Sequence, residues 1–569
     1  MEPALEGGTG GSLEQTSVEY VAVPSISSAS QSMIAEASSR RGTKNLTDAA
    51  YWSKVDQRSR MSCPCVPSFL WSVVLAATTG SVLFGINTAV LNTSADYIAS
   101  ELKWCGSEGY VGCDKAMWYK TFVSTAVFAG AAVGALSSGK FTEKMGLQRT
   151  YTHVALPIFA LSIIGSACAN SFVSLLWNRL VVGFAVGIAS ALTPNYIAEI
   201  APSAKRGKCG VAHQLLVVLG QLVAMLLGLA FTTVPTADDD ESEPTKEQQR
   251  WKAPVKNKVW WRFMLAVPII PTLLGMIYFL YVYTFDTPCG LVHQKQDAQA
   301  RALLQRLSGT DEVTEELREI RKSDAMAQEM AKKQIPFGQL LQQPGYGKAL
   351  AVGVGLAIFQ QITGINAFVA NSNRLFQDAG LSATAATYAS IGITCINALC
   401  TFIPLFILDK LGRKTLLFWG AIGMTLATAP ATVCYWVEWN KDKSSTAGMA
   451  LAILGACLFM FFFAVSVGPI TWVYIVEVFP LDMKAVGSAI CIAANWLASI
   501  VMVFSAGFLP AKVAYTIFTI ASALFVVFVA LCVRETKGRS LGDSPFVNSE
   551  TALQAAPSGL PEPSPPLAP

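Results

Sequence analysis

The stretch Gln360-Gln361-Ile362-Thr363-Gly364-Ile365-Asn366-Ala367 lies inside an apolar segment running roughly from Ala349 to Leu375. Amides left unsatisfied in hydrocarbon are costly, several kcal/mol each. Gly364 lets a helix deform there, as in the discontinuous helices of transporters. Such a span either lines a watery cavity or uses its amides to bridge neighbouring helices. Three amides within seven residues favour the cavity. Amides carry donors and acceptors without charge, which suits a neutral polyhydroxylated ligand.

The remainder of the chain fits a membrane setting. Of its 569 residues, 52% are hydrophobic and 14% charged, against about 25% charged in average soluble domains. Mean hydropathy is +0.44. A net charge of +4 is too small to imply nucleic acid, and three histidines argue against a metal-centred enzyme. No metal site or cofactor is expected. Many cysteines (Cys168, Cys395, Cys400, Cys434, Cys457, Cys491, Cys532) sit in apolar segments and read as small hydrophobes. Cys63 and Cys65 lack a second pair at zinc spacing. The polar, Ser-rich opening does not read as a cleavable signal peptide.

Apolar stretches long enough to cross about 30 Å of hydrocarbon recur along the chain. They fall near 69–92, 117–138, 151–170, 173–197, 209–232 and 262–283, then near 349–375, 384–408, 414–436, 448–475, 485–508 and 512–533. The expectation is an all-α membrane protein of twelve transmembrane helices in two six-helix bundles, with cytosolic helices between them. The expected divisions are a disordered cytosolic start (1–65), a first bundle (66–285), a helical linker (286–345), a second bundle (346–533) and a cytosolic tail (534–569). Basic residues place both termini inside. Arg40, Arg41, Lys44, Lys54, Arg58 and Arg60 precede the first span. Lys140, Lys144 and Arg149, then Lys205, Arg206 and Lys208, then Lys410, Arg413 and Lys414 are assigned to inner loops. An outer loop carries Asp238, Asp239, Asp240, Glu241 and Glu243, although Lys252, Lys256 and Lys258 follow it. In the first outer loop Cys105 and Cys113 read as a disulfide or as two free thiols. The Asn92-Thr93-Ser94 sequon abuts the membrane end of the first span, which disfavours its use; the Asn45 sequon falls on the cytosolic side.

The two halves echo one another. Gly146-Leu147-Gln148-Arg149 follows the second span, and Asp409-Lys410-Leu411-Gly412-Arg413-Lys414 the eighth. Glu199 and Arg206 repeat as Glu477 and Lys484, seven residues apart in each half. Asp286-Thr287-Pro288 follows the sixth span and Glu535-Thr536-Lys537-Gly538 the twelfth. A duplicated six-span unit, rocking about a midplane site, is the architecture of alternating access. Glu199, Arg206, Asp409, Arg413, Glu477 and Lys484, with Asp286 and Glu535, are candidate gate charges, expected to pair across the bundles and close the inner side.

These motifs together resemble the sugar porter family of the major facilitator superfamily, from about Trp71 to Gly538. They include Asn178-Arg179…Gly183, Pro194…Glu199…Arg206-Gly207, Gly468-Pro469-Ile470-Thr471-Trp472 and Asn495-Trp496. Within the family the chain is most similar to facilitative glucose transporters and the hexose transporters of protist parasites. The resemblance implies carriage of monosaccharides (D-glucose, with D-fructose, D-mannose or D-galactose also open), a plasma-membrane setting, a lipid bilayer partner and a functional monomer. It also implies sugar-binding roles for Gln214 of the His213-Gln214 pair, Gln360, Gln361, Asn366, Asn397, Trp472, Asn495 and Trp496. Such a set is what a hexose needs: amides for hydroxyls, an indole face for the C–H side of the ring. Val217 is expected as an apolar wall, and Gln221 either as an added sugar contact or as a polar contact to a neighbouring helix.

Departures from the family fall in the gates. Arg149 is displaced in the first-half motif, Cys289 replaces the signature arginine after Asp286, Ala464 replaces a common glutamate, and Ala370-Asn371-Ser372-Asn373 lacks a tyrosine pair. Proton-coupled relatives carry an aspartate where Gly80-Ser81-Val82-Leu83-Phe84-Gly85-Ile86-Asn87 ends in an amide. Uniport is therefore expected over proton symport. A non-transporting sensor would need a signalling tail, and an enzyme a catalytic constellation; neither is evident.

Overall fold

The computed structural model of the chain describes residues 69–106, 111–202, 205–231, 259–332, 337–378, 381–438, 446–539 and 543–547. The amino-terminal basic residues, Cys63, Cys65, the Asn45 sequon, the acidic loop with its following lysines, and the tail beyond 547 lie outside the described residues.

Among the described residues, eleven helices are long and apolar enough to cross a membrane. The first six are Phe69–Glu101, Asp114–Met145, Leu147–Ala167, Phe172–Ile200, Arg206–Gly228 and Trp260–Val282. The second set holds Tyr346–Gln377, Arg413–Cys434, Ile453–Glu477, Met483–Ala506 and Lys512–Cys532. A twelfth crossing, the eighth in chain order, is the pair Thr384–Cys400 and Pro404–Leu411, bent by 49°. In lipid the backbone must satisfy itself, and helices this apolar do so within one segment. Local signals set their ends: Ser171 and Ser174 form a capping box on the fourth span, and Ser382 caps the eighth. One expectation needs correction. Most of the basic residues assigned to inner loops lie in helix: Lys140 and Lys144 in the second span, which continues to Met145, Arg149 in Leu147–Thr150, Arg206 and Lys208 in the first turn of the fifth span, Lys410 in Pro404–Leu411, and Arg413 and Lys414 at the start of the ninth.

Small residues let the helices approach closely. Gly130 and Gly134 of the second span face the backbone of Leu180 and Phe184 in the fourth, while Gly183 and Gly187 face Val127 and Ala131, with no room for a Cβ. Helices Pro288–His293, Asp297–Ser308 and Thr314–Lys332 connect the two sets. They are tied to one another by Arg321–Asp297 at 2.9 Å and His293–Asp324 at 2.7 Å. Arg306 lies over the Phe69 ring at 5.6 Å, fastening them to the first span.

Two spans are interrupted. The seventh divides into Tyr346–Ile362 and Ile365–Asp378, with Gly364 at φ +102° between them. The tenth breaks at Ser466 (φ −129°, ψ −86°), after which Val467–Glu477 continues as helix.

Candidate functional site

The break in the seventh span puts its amides against the eleventh and tenth. Asn495 Nδ2 donates to Gln360 Oε1 at 2.7 Å and to the Ala357 carbonyl at 2.8 Å. Gln361 Nε2 donates to Asn495 Oδ1 at 3.0 Å. Asn366 Nδ2 donates to Gln361 Oε1 at 2.8 Å and to Ser499 Oγ at 3.3 Å. Gln360 Nε2 reaches the Val467 and Gly468 carbonyls at 3.3 and 3.2 Å, in the first turn of the helix that follows the break. Four uncharged amides thus form one buried network.

The other bundle completes the wall. Trp472 Nε1 donates to Gln214 Oε1 at 3.1 Å, and Trp496 Nε1 to Ser190 Oγ at 3.2 Å, each across the bundle interface. Phe84 of the first span meets Trp496 edge-on at 4.9 Å and Trp472 at 6.4 Å. His213, bonded to Ser81 Oγ at 2.8 Å, meets Trp472 edge-on at 5.1 Å. Asn397 is buried apart from the amide network, its Oδ1 without a partner. Val217 and Gln221 are buried, and their backbone lies against Gly85 of the first span. Sequence reasoning missed Phe84, Ser190 and Ser499. Ser499 was within reach, four residues after Asn495 on the same helix face.

Arg179 of the fourth span is 1% exposed and faces the first span. Its Nη2 donates to the Asn87 carbonyl at 2.6 Å and its Nη1 to Asn87 Oδ1 at 3.2 Å. Among the described residues no carboxylate pairs with it.

At the ends expected to face the cytosol (the inner ends) the duplication is visible atom by atom. Gly146 (φ 83°, ψ 168°) and Gly412 (φ 86°, ψ 168°) make the same turn. Asp286 Oδ1 accepts from the Gln148 N–H at 3.3 Å; Glu535 accepts from Arg413 N–H at 2.8 Å and Lys414 N–H at 3.0 Å. Thr287 donates to Glu199 at 2.7 Å and Thr536 to Glu477 at 2.6 Å. The halves then differ. Arg413 holds Glu477 through Nη2 at 2.9 Å and Nε at 3.1 Å, with Asp409 at 3.5 Å. Leu147 stands at the matching first-half position and has no charge to offer Glu199. The expectation of pairing across the bundles is therefore corrected for Arg413, Glu477 and Asp409, which are joined inside the second bundle. Arg206 donates through Nε to the Ala198 carbonyl at 3.2 Å, within its own bundle. The cation that acts on Glu199 from the other bundle is Lys484, through space rather than by a bonded pair. Asp409 touches across, its carboxylate filling the space over Gly207. Burial pushes the Asp286 carboxyl above the usual carboxylate range, against its backbone N–H donors. It pushes the Cys289 thiol up to about 12, helped by Glu199.

The outer ends meet as well. Asn92 Nδ2 donates to the Val369 carbonyl and Ser372 Oγ of the seventh span, both at 2.8 Å. The nitrogen a glycan would need is thus engaged between bundles. Cys105 and Cys113 are joined in a disulfide.

Residues 73–545 match the family model for "Sugar (and other) transporter". The chain belongs to that family. It is 35% identical over 510 residues to Hexose transporter 1 of Toxoplasma gondii, covering 88% of this chain and 86% of that one. It is 31% identical over 484 residues to Hexose transporter 1 of Plasmodium falciparum, covering 84% and 92%. Among solved structures, the major facilitator superfamily proton:xylose symporter XylE bound to 6-bromo-6-deoxy-D-glucose superposes with a TM-score of 0.68 at 26% identity, over 83% of this chain and 98% of that one. The family member described here therefore has the major facilitator fold, and its relatives are transporters, not enzymes.

Proposed function

We propose that this sugar transporter is a facilitative hexose uniporter of the plasma membrane, with both termini cytosolic, working as a monomer by alternating access. D-glucose is the first substrate to test, with D-fructose, D-mannose and D-galactose as competitors. The observation that carries the reading is the amide network of Gln360, Gln361, Asn366 and Asn495 beside two indoles. It supplies neutral donors and acceptors for hydroxyls and aromatic faces for the C–H side of a sugar. Hexose transporters among the relatives support the same substrate class.

Uniport rests on Asn87. A proton-coupled carrier needs an intramembrane group that binds and releases a proton. The amide of Asn87 cannot, and the arginine bonded to it stays charged. Proton symport is the second reading, favoured by the likeness to a proton:xylose symporter.

The test is labelled D-glucose uptake into liposomes holding the purified protein, with and without an imposed proton gradient, against L-glucose and D-fructose competitors. Equal initial rates and no accumulation above the outside concentration support uniport. Gradient-driven accumulation overturns it. No D-glucose uptake reopens the substrate, with D-fructose next.

A further inference from the structure

A short piece of the tail is fastened where the two interrupted spans end. Ser544 Oγ donates to the Val478 carbonyl at 2.7 Å, and Ser544 is 2% exposed. Val478 directly follows the inner half of the tenth span, Val467–Glu477. Arg534, at the end of the twelfth span, donates to the Pro545 carbonyl at 2.9 Å and lies over the Phe546 ring at 5.0 Å. Gly345, at φ +90°, caps the inner half of the seventh span. A Cβ there would strike the Phe546 carbonyl and the Val547 side chain. Residues 543–547 therefore cross the inner ends of the seventh, tenth and twelfth spans.

We propose that Asp543–Val547 is a removable strap on the inner half-helices of the seventh and tenth spans, and that Ser544 is a phosphorylation site whose modification keeps it off. The same half-helices meet at the pocket, where Gln360 bonds the Val467 and Gly468 carbonyls. The strap joins them again about 16 Å away, the length of an 11-residue helix. Neither can shift against the other at its inner end while the strap is docked.

Ser544-Pro545 is a substrate pair for a proline-directed protein kinase. The Ser544 Oγ attacks the γ-phosphorus of ATP, an O–P bond forms, ADP leaves, and the hydroxyl proton passes to the kinase's base. The product carries about −1.5 to −2 charge. In the docked strap that charge would face the Val478 carbonyl, at the negative end of a helix, with Glu477 preceding it. Glu477 is already matched by Arg413 and Thr536, and Arg534 is engaged by Pro545 and Phe546. A phosphoserine has no place there. Because Ser544 is buried, the kinase meets it when the strap lifts. The anchors are few (two hydrogen bonds to the spans' ends, one exposed ion pair of Asp543 with Arg539, one cation–π contact and one buried valine), so lifting is a local opening.

The effect on transport rests on the carrier reading above; docking and release do not. Full-length protein is incubated with a proline-directed serine/threonine kinase and ATP, the phosphate is mapped by mass spectrometry, and hydrogen exchange is followed over residues 345–350 and 543–547. Phosphate is expected at Ser544, with exchange in both segments about tenfold faster in the modified protein and in Ser544→Asp. Phe546→Ala, which loosens the strap without adding charge, is expected to be phosphorylated several-fold faster than the parent. Ser544→Ala is expected to show no kinase-dependent change in exchange. No phosphate at Ser544 even in Phe546→Ala, or phosphate without faster exchange, overturns the proposal. In liposomes the modified protein is expected to take up hexose at least about twofold faster than unmodified protein. Equal rates overturn the strap's control of the half-helices. No uptake by either preparation, with the exchange change present, overturns the hexose reading and supports the strap.

Discussion

Asn366 shows how a single side chain is committed in this pocket. Its amide bridges Gln361 and Ser499, so Asn366→Ala takes a donor from buried Gln361 Oε1 as well as removing the sugar contact proposed for it. A net hydrogen bond is worth about 0.5–1.5 kcal/mol, which at the upper end is roughly tenfold in affinity. Initial hexose uptake is expected to fall about tenfold at unchanged membrane level, as measured with labelled sugar against a surface-protein control. Unchanged uptake removes Asn366 from the pocket. Cys289 is a second residue with a clear chemical expectation. Its thiol is pushed from 9.0 up to about 12 by burial, then by Glu199. The thiolate is the reactive form, so alkylation at pH 8 is expected to be about a thousandfold slower than at an unshifted thiol, by the three-unit difference in pKa. The rate rises about tenfold per pH unit until the titration is passed. Iodoacetamide labelling of the folded protein against a denatured control checks it. The amides were legible in the sequence because hydrocarbon makes each of them conspicuous. Phe84 and Ser190 were not. Both are ordinary in a membrane helix, and their partners Trp496 and Trp472 come from the other bundle, at no fixed spacing.

At the scale of elements, apolar length gave the positions of the spans, because nothing but a helix can hold so many apolar residues together in lipid. Loop limits were harder to read. Lys140 and Lys144 look like loop residues, yet a helix that has left the bilayer can keep its hydrogen bonds and carry charge. The break in the seventh span was legible in Gly364; the break at Ser466 carried its mark two residues on, in Gly468-Pro469 in the first turn of the new helix, rather than on the serine itself. Gly364 combines a φ of +102° with the Phe518 ring where a Cβ would lie. Gly364→Ala is expected to add about 1–3 kcal/mol of backbone strain and about 1–3 kcal/mol of overpacking. The measurement is the melting temperature in detergent, which should fall clearly. An unchanged melting temperature would mean that the break relaxes at no cost.

At the scale of the whole molecule, the duplicated inner clusters are matched in their backbone turns and threonine–carboxylate bonds, but not in their cations. That asymmetry assigns different work to two equivalent glutamates. Glu477 is closed within the second bundle by Arg413, which is 6% exposed. Glu477→Gln removes the nearer of the two carboxylates facing that guanidinium and leaves Asp409 at 3.5 Å, a loss of about 1.5–3 kcal/mol. It is expected to lower yield and melting temperature. Glu199 has Leu147 where Glu477 has Arg413, and its facing cation is Lys484 of the other bundle. Glu199→Gln keeps an acceptor for the Thr287 hydroxyl, so the first bundle should fold and melt nearly as before. What it loses is attraction between bundles at the inner face. A loss of about 1–2 kcal/mol there lowers the closed population by a factor of roughly 5–30. Asn195 and Ser488 offer a direct reading, because they come from opposite bundles and their side chains stand 3.5 Å apart. With Asn195→Cys and Ser488→Cys introduced together, oxidative cross-linking of that pair should slow several-fold when Glu199→Gln is added. Equal cross-linking with and without Glu199→Gln would show that the Glu199–Lys484 attraction does not hold the inner face closed.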